Sequence, residues 1–111
     1  MEAQATAKYL RISPSKLMQV IPLIKGKRGD VAENILQMTQ KKASYLIHKT
    51  LASCFANLRM RSPLSELKDI RIKNIMVGPG PTMKRTIPIS RGRANRILKR
   101  TAHLTVLIEK V

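Results

Sequence analysis

The strongest constraint in this sequence is a stretch of 39 residues, from Ile70 to Ile108, that contains no aspartate or glutamate. Nine lysines and arginines lie within it, and glycines and prolines interrupt its middle. Apolar runs typical of β-strands bracket it, one at residues 70–77 and one at 104–108. Two strands around a long basic connection predict a hairpin arm that protrudes from a body and lies against a polyanion.

The predicted arm comprises residues 78–103, and the predicted body comprises 1–77 and 104–111, all in one domain. Two legs of about 13 residues would reach about 40 Å at roughly 3.3 Å per residue. A compact chain of this length has a radius of gyration near 13 Å, so the arm would be as long as the body is wide.

The arm is predicted to be irregular because Pro79, Pro81 and Pro88 have no N–H to donate to a strand ladder. A two-stranded ribbon is also marginally stable alone in water. We therefore expect the free arm to be mobile and to be ordered by its partner. Its amides should show less hydrogen-exchange protection in the free protein than the core of the third helix.

The body begins with an alternating segment that predicts a strand with one covered face. Ala3, Ala5, Ala7 and Tyr9 share one face of it, while Glu2, Gln4, Thr6 and Lys8 share the other. The apolar runs at residues 70–77 and 104–108 predict two further strands, and the phase of the first slips at Asn74, which predicts a bulge.

Three segments between these strands have helical periodicity. The first begins at Ser13-Pro14, because serine can cap free amides and proline suits the first turn, and Gly26 ends it. The second starts at Gly29-Asp30. The third is predicted to be capped by Thr39 and to end before Ser62-Pro63. Its apolar face consists of Ala43, Leu46, Ile47, Leu51, Cys54 and Leu58. The prediction is an α+β fold with three helices packed on one face of a small three-stranded antiparallel sheet.

The net charge of the chain indicates which class of molecule it binds. Twenty-two lysines and arginines against six acids give a formal net charge of +16, which makes the compact state repel itself. Nucleic acid, an anionic membrane and an acidic protein all fit at this level. Arginine predominates near the arm's far end, and its planar fork pairs with phosphate and stacks on bases. An irregular arm suits folded RNA better than a regular duplex groove.

Other functions find less support in the residues. The six acids are dispersed and suggest no general acid–base pair, so we do not expect an enzyme, and an RNA-processing nuclease is disfavoured. One cysteine, Cys54, and two histidines, His48 and His103, do not form a metal-ligand pattern, and no cofactor is predicted. We expect Cys54 to be a buried structural thiol and His103 to pack or hydrogen-bond at the arm's base. The N-terminus lacks the pattern of a signal peptide, and no apolar run is long enough to span a membrane.

Over nearly its whole length, the chain resembles the bacterial-type family of large-subunit ribosomal protein twenty-two. The resemblance rests on residues 80–85, on Pro88, and on the series Arg91-Gly-Arg-Ala-Asn-Arg-Ile-Leu-Lys-Arg-Thr-Ala-His-Leu-Thr-Val106. Weaker support comes from residues 13–16, 24–26 and 41–43 and from Ala56-Asn57. The sequence departs from the family at Met18, where many relatives have arginine, at Pro22, and at residues 58–61.

The resemblance implies three helices on a three-stranded sheet and a long hairpin that runs through large-subunit RNA to line the nascent-peptide exit tunnel. It also implies a role in subunit assembly, no catalysis, and neighbouring ribosomal proteins and the nascent polypeptide as partners. No membrane or small-molecule substrate is expected, although changes in the hairpin affect macrolide antibiotics indirectly in relatives. The implied location is the large ribosomal subunit, in the cytoplasm or in an organelle.

Two sets of site residues follow from the charge pattern and the resemblance together. The predicted RNA-binding residues are Arg11, Lys16, Lys25, Lys27, Arg28, Lys41, Lys42, Lys49, Lys73, Lys84, Arg85, Arg91, Arg93, Arg96, Lys99, Arg100 and His103. The predicted tunnel-tip residues are Met83, Lys84, Arg85, Ile87, Pro88, Ile89, Ser90, Arg91, Gly92, Arg93 and Ala94.

Alternatives remain open on the residues alone. A free basic regulatory RNA-binding protein is the nearest one, and stoichiometric presence in the large subunit separates it from a ribosomal component. A cationic membrane-active protein would bind liposomes but not large-subunit RNA. Two groups of basic residues are either RNA contacts or simply solvated charges: the adjacent Lys41 and Lys42, and the loop cluster of Lys25, Lys27 and Arg28.

Overall fold

The computed structural model describes residues 2–88, 92 and 94–110. Its elements, in chain order, are β1 (Glu2–Leu10), α1 (Pro14–Ile24), α2 (Gly29–Met38), α3 (Lys42–Arg61), a 3-10 turn (Leu67–Asp69), β2 (Ile70–Pro79), β3 (Met83–Pro88), β4 (Ala94–Lys99) and β5 (Ala102–Lys110). The order of strand, three helices and later strands agrees with the predicted α+β class.

The body is built on a three-stranded antiparallel sheet in the order β1-β5-β2. β5 is therefore central, although it is the last strand in the chain. β2 pairs with it from Ile70, opposite Lys110, to Pro79, opposite Ala102. A register shift between Ile72 and Asn74 confirms the predicted bulge in β2.

The helices cover one face of this sheet with an aliphatic core. Ile72, Leu104, Val106 and Ile108 of the sheet are fully buried. The helices contribute Leu17, Val20, Ile24, Ala32, Leu36, Ala43, Ile47, Leu51, Cys54 and Leu58 to the same cluster. This set includes most of the apolar face predicted for α3, so the three-and-four spacing identified its buried side correctly.

The helix boundaries agree with the prediction better than the capping does. Ser13 is the N-cap residue of α1, but its hydroxyl lies 3.2 Å from the Ser15 hydroxyl and caps no amide. Thr39 was assigned to the start of α3, and that assignment is wrong. Lys41 is the N-cap residue of α3, and the Thr39 hydroxyl instead donates to the Ile35 carbonyl at the end of α2, 2.8 Å away.

Tyr9 is also misplaced by the sequence pattern. Alternation puts it on the covered face with Ala3 and Ala5, yet 63% of its surface is exposed. The reason is an extra residue in β1: Ala7 pairs with Leu104, whereas Leu10 pairs with Ala102. A bulge of this kind breaks the two-residue period and redirects the side chain.

The arm is a separate two-stranded ribbon in which β3 pairs with β4, from Met83 opposite Lys99 to Pro88 opposite Ala94. The molecule measures 64 × 25 × 16 Å, with a radius of gyration of 17.1 Å. The value expected for a compact chain of this length is about 13 Å. The elongation is the shape that the length of the basic connection predicted.

Cys54 offers a test of the core. Its Sγ is buried, 3.3 Å from the Ala3 carbonyl oxygen and 3.4 Å from that of Val106. Burial raises the pKa of the Cys54 thiol to about 11. At pH 8 only about one thiol in a thousand is then ionised, so iodoacetamide should alkylate native protein far more slowly than protein unfolded in guanidinium. Equal rates in the two states, followed by mass spectrometry, would show that α3 does not shield this residue.

Candidate nucleic-acid interface

Positive and negative charges are segregated along the body. Glu2 and Glu109 face each other across β1 and β5 at the end of the sheet opposite the arm. Glu66 precedes, and Asp69 ends, the 3-10 turn that leads into the same end of β2. α2 starts beside it too, because the space around Gly29 is occupied by Ile70 and the Leu67 carbonyl. Five of the six acids, Glu2, Asp30, Glu66, Asp69 and Glu109, therefore lie at the end of the body remote from the arm, whereas Glu33 lies beside His48 of α3, with 3.3 Å between Oε1 and Nε2.

Four basic side chains at this end are paired with acids, whereas Arg59, Arg61 and Lys110 donate to neutral oxygens. Arg28 donates two hydrogen bonds to Asp30, at 2.7 and 3.0 Å, and these lower the pKa of the Asp30 carboxyl. Arg71 hydrogen-bonds Glu109 across the sheet and lowers the pKa of that carboxyl. Lys73 pairs with Glu2, which raises the lysine pKa. Two predicted RNA contacts, Arg28 and Lys73, are thus already engaged within the chain.

The arm's base carries a different arrangement, in which cations meet only neutral acceptors. Arg11 Nη1 donates to the Arg100 carbonyl at 3.0 Å, and Lys42 Nζ donates to the Arg11 carbonyl at 2.7 Å. In the part of the chain that the structure describes, no carboxylate forms an ion pair with Arg11, Lys42 or Arg100. Their charges remain available to an anion from outside.

Two helices add to the positive potential at this end. α3 runs antiparallel to β1, because its C-terminal residues Asn57 and Arg61 donate to the Gln4 and Glu2 carbonyls. Its N-terminus therefore lies towards the arm, and α1 begins there as well, just after Arg11. Helix N-termini carry partial positive charge, so cations beside them are unfavourable until an anion arrives.

A set of hydrogen bonds joins the arm to the body. The Gly80 N–H donates to the Thr101 carbonyl at 2.9 Å, and the Thr101 hydroxyl donates to the Pro81 carbonyl at 2.7 Å. On the other side, the Tyr9 N–H donates to His103 Nδ1 at 3.0 Å. His103 therefore packs and hydrogen-bonds at the arm's base, as predicted. We refer to Tyr9, Gly80, Pro81, Thr101 and His103 as the arm joint.

The ribbon beyond the joint exposes its cations. Lys84, Arg85, Lys99 and Arg100 are all exposed. Arg85 donates to the Lys84 carbonyl at 3.0 Å and lies 3.7 Å from the Met83 sulfur. Both contacts leave the guanidinium charge without a counterion, so this part of the ribbon presents cations to solvent.

The remaining predicted RNA contacts occupy several places. Lys16 lies in the first turn of α1, and Lys41 immediately precedes α3. Lys25 and Lys27 lie in the loop along the edge of β2, where Ile72 bonds to the loop backbone. Lys49 lies over the ring of Tyr45, 5.3 Å from its centroid. Among the described residues of the body, Arg11, Lys16, Lys41, Lys42 and His103 lie at the arm end, and Lys25, Lys27, Arg28, Lys49 and Lys73 lie elsewhere on the body.

The predicted tunnel tip is described in part. Met83, Lys84, Arg85, Ile87 and Pro88 belong to β3, Ala94 begins β4, and Gly92 has a positive φ of 69°. Ile89, Ser90, Arg91 and Arg93, which were also assigned to the tip or to RNA contact, lie outside the described residues, as does the side chain of Arg96.

Within the described ranges 2–88, 92 and 94–110, no helix is long and apolar enough to cross a membrane. Across those same residues, no three histidine, cysteine, aspartate or glutamate side chains are grouped so that they could hold a metal ion.

Two residues of the joint were not identified from the sequence. Thr101 was seen only as part of a basic series, and Tyr9 was assigned to a covered face. The one signal available for Tyr9 was its rarity, because the chain has only three aromatic residues and they would be expected in the core.

Comparison with known proteins identifies relatives over almost the entire length. The family model described as ribosomal protein L22p/L17e matches residues 5–109. The large ribosomal subunit protein uL22 of Oleidesulfovibrio alaskensis is 46% identical over 110 residues, covering 99% of both chains. Proteins of the same name from Akkermansia muciniphila and Thermus thermophilus are 45% and 44% identical over 108 residues, which is 97% of this chain and 96% and 95% of theirs.

Glycine substitutions test the arm joint. A Cβ at Gly80 would lie 2.4 Å from the Thr101 hydroxyl oxygen, which Pro81 holds in place, and 3.3 Å from His103. Gly80→Ala should therefore destabilise the protein by about 1–3 kcal/mol in urea unfolding. Gly78→Ala is the matched control, because nothing lies within 4 Å of its Cβ position, and we expect a change within about 0.5 kcal/mol. Equal effects of the two substitutions would contradict the close packing at the joint.

Proposed function

We propose, because this chain belongs to the ribosomal protein L22p/L17e family, that its arm and arm base bind the RNA of the large ribosomal subunit. The family is one of structural ribosomal proteins, and this protein is a structural component of the large subunit. RNA contact, assistance in subunit assembly and a place in the tunnel wall are the finer parts of the proposal.

The observation that carries the proposal is the separation of charge. Five of the six acids lie at the end of the body remote from the arm, and four of the basic side chains there are paired with them. At the other end lie two helix N-termini and the exposed ribbon, with cations that have no carboxylate partner among the described residues. Phosphates of a folded RNA would neutralise these cations, since arginine and lysine together suit irregular phosphate geometry.

The ribbon's dimensions support the tunnel part of the proposal. β3 and β4 extend the molecule to 64 Å, more than twice its second dimension of 25 Å. A protein of this shape can hold its body at a surface while its arm passes between RNA segments. The flanks of the arm would then contact RNA, and the predicted tip, residues 83–85 and 87–94, would lie nearest the nascent polypeptide. Macrolide antibiotics would be affected only through the shape of that wall.

The first test is the protein's location. In sucrose-gradient fractionation of cell extracts, we expect one copy per large subunit and little free protein. A large free pool bound to other RNAs would favour the alternative of a regulatory RNA-binding protein. Removal of residues 78–103 should lower incorporation into the subunit if the arm supports assembly.

Salt dependence tests which cations contact phosphate. Each lost phosphate contact should reduce the slope of log K against log salt by about 0.7–0.9. Lys84→Gln, Arg85→Gln, Lys99→Gln and Arg100→Gln should each do so in filter binding to large-subunit rRNA.

Lys68→Gln and Arg71→Gln are the matched controls, because both side chains pair with carboxylates in the acidic half. They should leave the slope unchanged. If the arm variants and the control variants have the same salt slopes, the ribbon cations do not contact phosphate.

A further inference from the structure

Tyr9 has a backbone conformation that a tyrosine rarely adopts. Its φ is 58°, and it is the only non-glycine residue with a positive φ among those that the structure describes. In this left-handed region the Cβ atom crowds the carbonyl oxygen, so glycine, asparagine and aspartate are preferred. Strained residues of this kind cluster at functional sites, so the Tyr9 side chain is a candidate for a functional role.

The bulge in β1 places Tyr9 there, and His103 holds it. The extra residue between Ala7 and Leu10 turns the chain, and the Tyr9 N–H then meets His103 Nδ1 at 3.0 Å. The two rings lie at 90° with their centroids 4.9 Å apart. Whichever ring presents its edge, at least one face of the tyrosine ring stays clear of the imidazole.

The tyrosine ring is nevertheless left in solvent. Its exposed fraction is 63%, in a chain with only three aromatic residues. Packing of the core does not explain an aromatic side chain that is held by the backbone and directed outwards. A ring fixed with an open face is suited to stack on a flat partner.

The neighbours of Tyr9 specify the charge of that partner. Arg11 lies two residues after Tyr9. Its Nη1 donates to the Arg100 carbonyl, and among the described residues its other guanidinium N–H groups make no hydrogen bond and can bind a ligand. The Lys42 ammonium group donates one hydrogen bond to the Arg11 carbonyl. The ligand must therefore offer a flat apolar face and negative charge close together, and an unpaired nucleotide supplies both.

We propose that Tyr9 is a stacking platform for an unpaired base of RNA, and that Arg11 and Lys42 hold the adjoining phosphates. The inference rests on the proposed function and adds a specific contact to it. An acidic protein segment would satisfy the cations but would give the ring no matching flat surface, so we favour RNA, whose loops and bulges stack on aromatic side chains.

Affinity for large-subunit rRNA tests the platform. Tyr9→Asn suits the left-handed backbone and removes the ring, and it should weaken binding by about 5- to 150-fold. Tyr9→Phe should stay within about twofold of the wild type because stacking does not need the hydroxyl. The salt slope of Tyr9→Asn should equal that of the wild type, since no phosphate contact is lost.

Tyr45 supplies the matched control. It is exposed to a similar extent, 61%, but lies on α3 with Lys49 over its ring. Tyr45→Asn should weaken binding far less than Tyr9→Asn, because Lys49 lies over this ring. The chain has no tryptophan, so Tyr9→Trp and Tyr45→Trp each introduce a single fluorophore. Added rRNA should quench the emission of Tyr9→Trp and not that of Tyr45→Trp, a readout that does not depend on the stability of Tyr9→Asn.

The outcomes separate this inference from the proposed function. If the wild type does not bind rRNA, the proposed function fails first. If the wild type binds and both Tyr9→Asn and the fluorescence of Tyr9→Trp show no effect, the platform is refuted while RNA binding stands. If Tyr9→Asn binds rRNA normally but fails to enter the subunit, the ring contacts a neighbouring protein, and the inference is equally overturned.

Discussion

The pairing of β5 with strands on both sides is the constraint on which the rest of the molecule depends. A two-stranded ribbon has too few contacts to be stable alone, so the arm needs anchoring. Both of its legs continue into the body sheet, one from Pro79 of the edge strand β2 and the other into Ala102 of the central strand β5. Buried residues further along these strands, among them Ile72 and Leu104, fix their register. The core therefore sets where the arm starts and in which direction it leaves.

Charge segregation follows from the same architecture. Five of the six acids lie at the end of the body farthest from the arm. There Glu109–Arg71 connects the neighbouring strands β5 and β2, and Glu2–Lys73 connects the two edge strands, β1 and β2. Exposed ion pairs of this kind contribute little to stability because solvent screens them, so stability does not explain their position. Their position instead keeps negative charge away from the arm. The cost is mutual repulsion among the cations at the other end, which the aliphatic core has to outweigh until an anion neutralises them.

The elements that could be predicted from the sequence are those whose signal repeats. The apolar face of α3 repeats from Ala43 to Leu58, and the long acid-free stretch between two strands predicts an arm without depending on any single residue. Features that depend on a single residue could not be predicted in this way. Thr39 has the right chemistry to cap α3, but its hydroxyl finds the Ile35 carbonyl of α2 instead. The pairing of Arg28 with Asp30 and of Lys73 with Glu2 likewise depends on local geometry, so a list of basic residues overstates the number of free ones.

The bulge in β1 shows why such single-residue features matter for the candidate interface. In a regular strand Tyr9 would follow Ala3 and Ala5 onto the covered face, under the helices. The extra residue turns Tyr9 outwards and brings its N–H to His103. The chain then continues to Arg11, whose side chain reaches the Arg100 carbonyl at the root of the arm. The N-terminal strand thus contributes to the arm joint because its regular pairing ends early, and a hydrogen bond to the imidazole offsets part of the backbone strain.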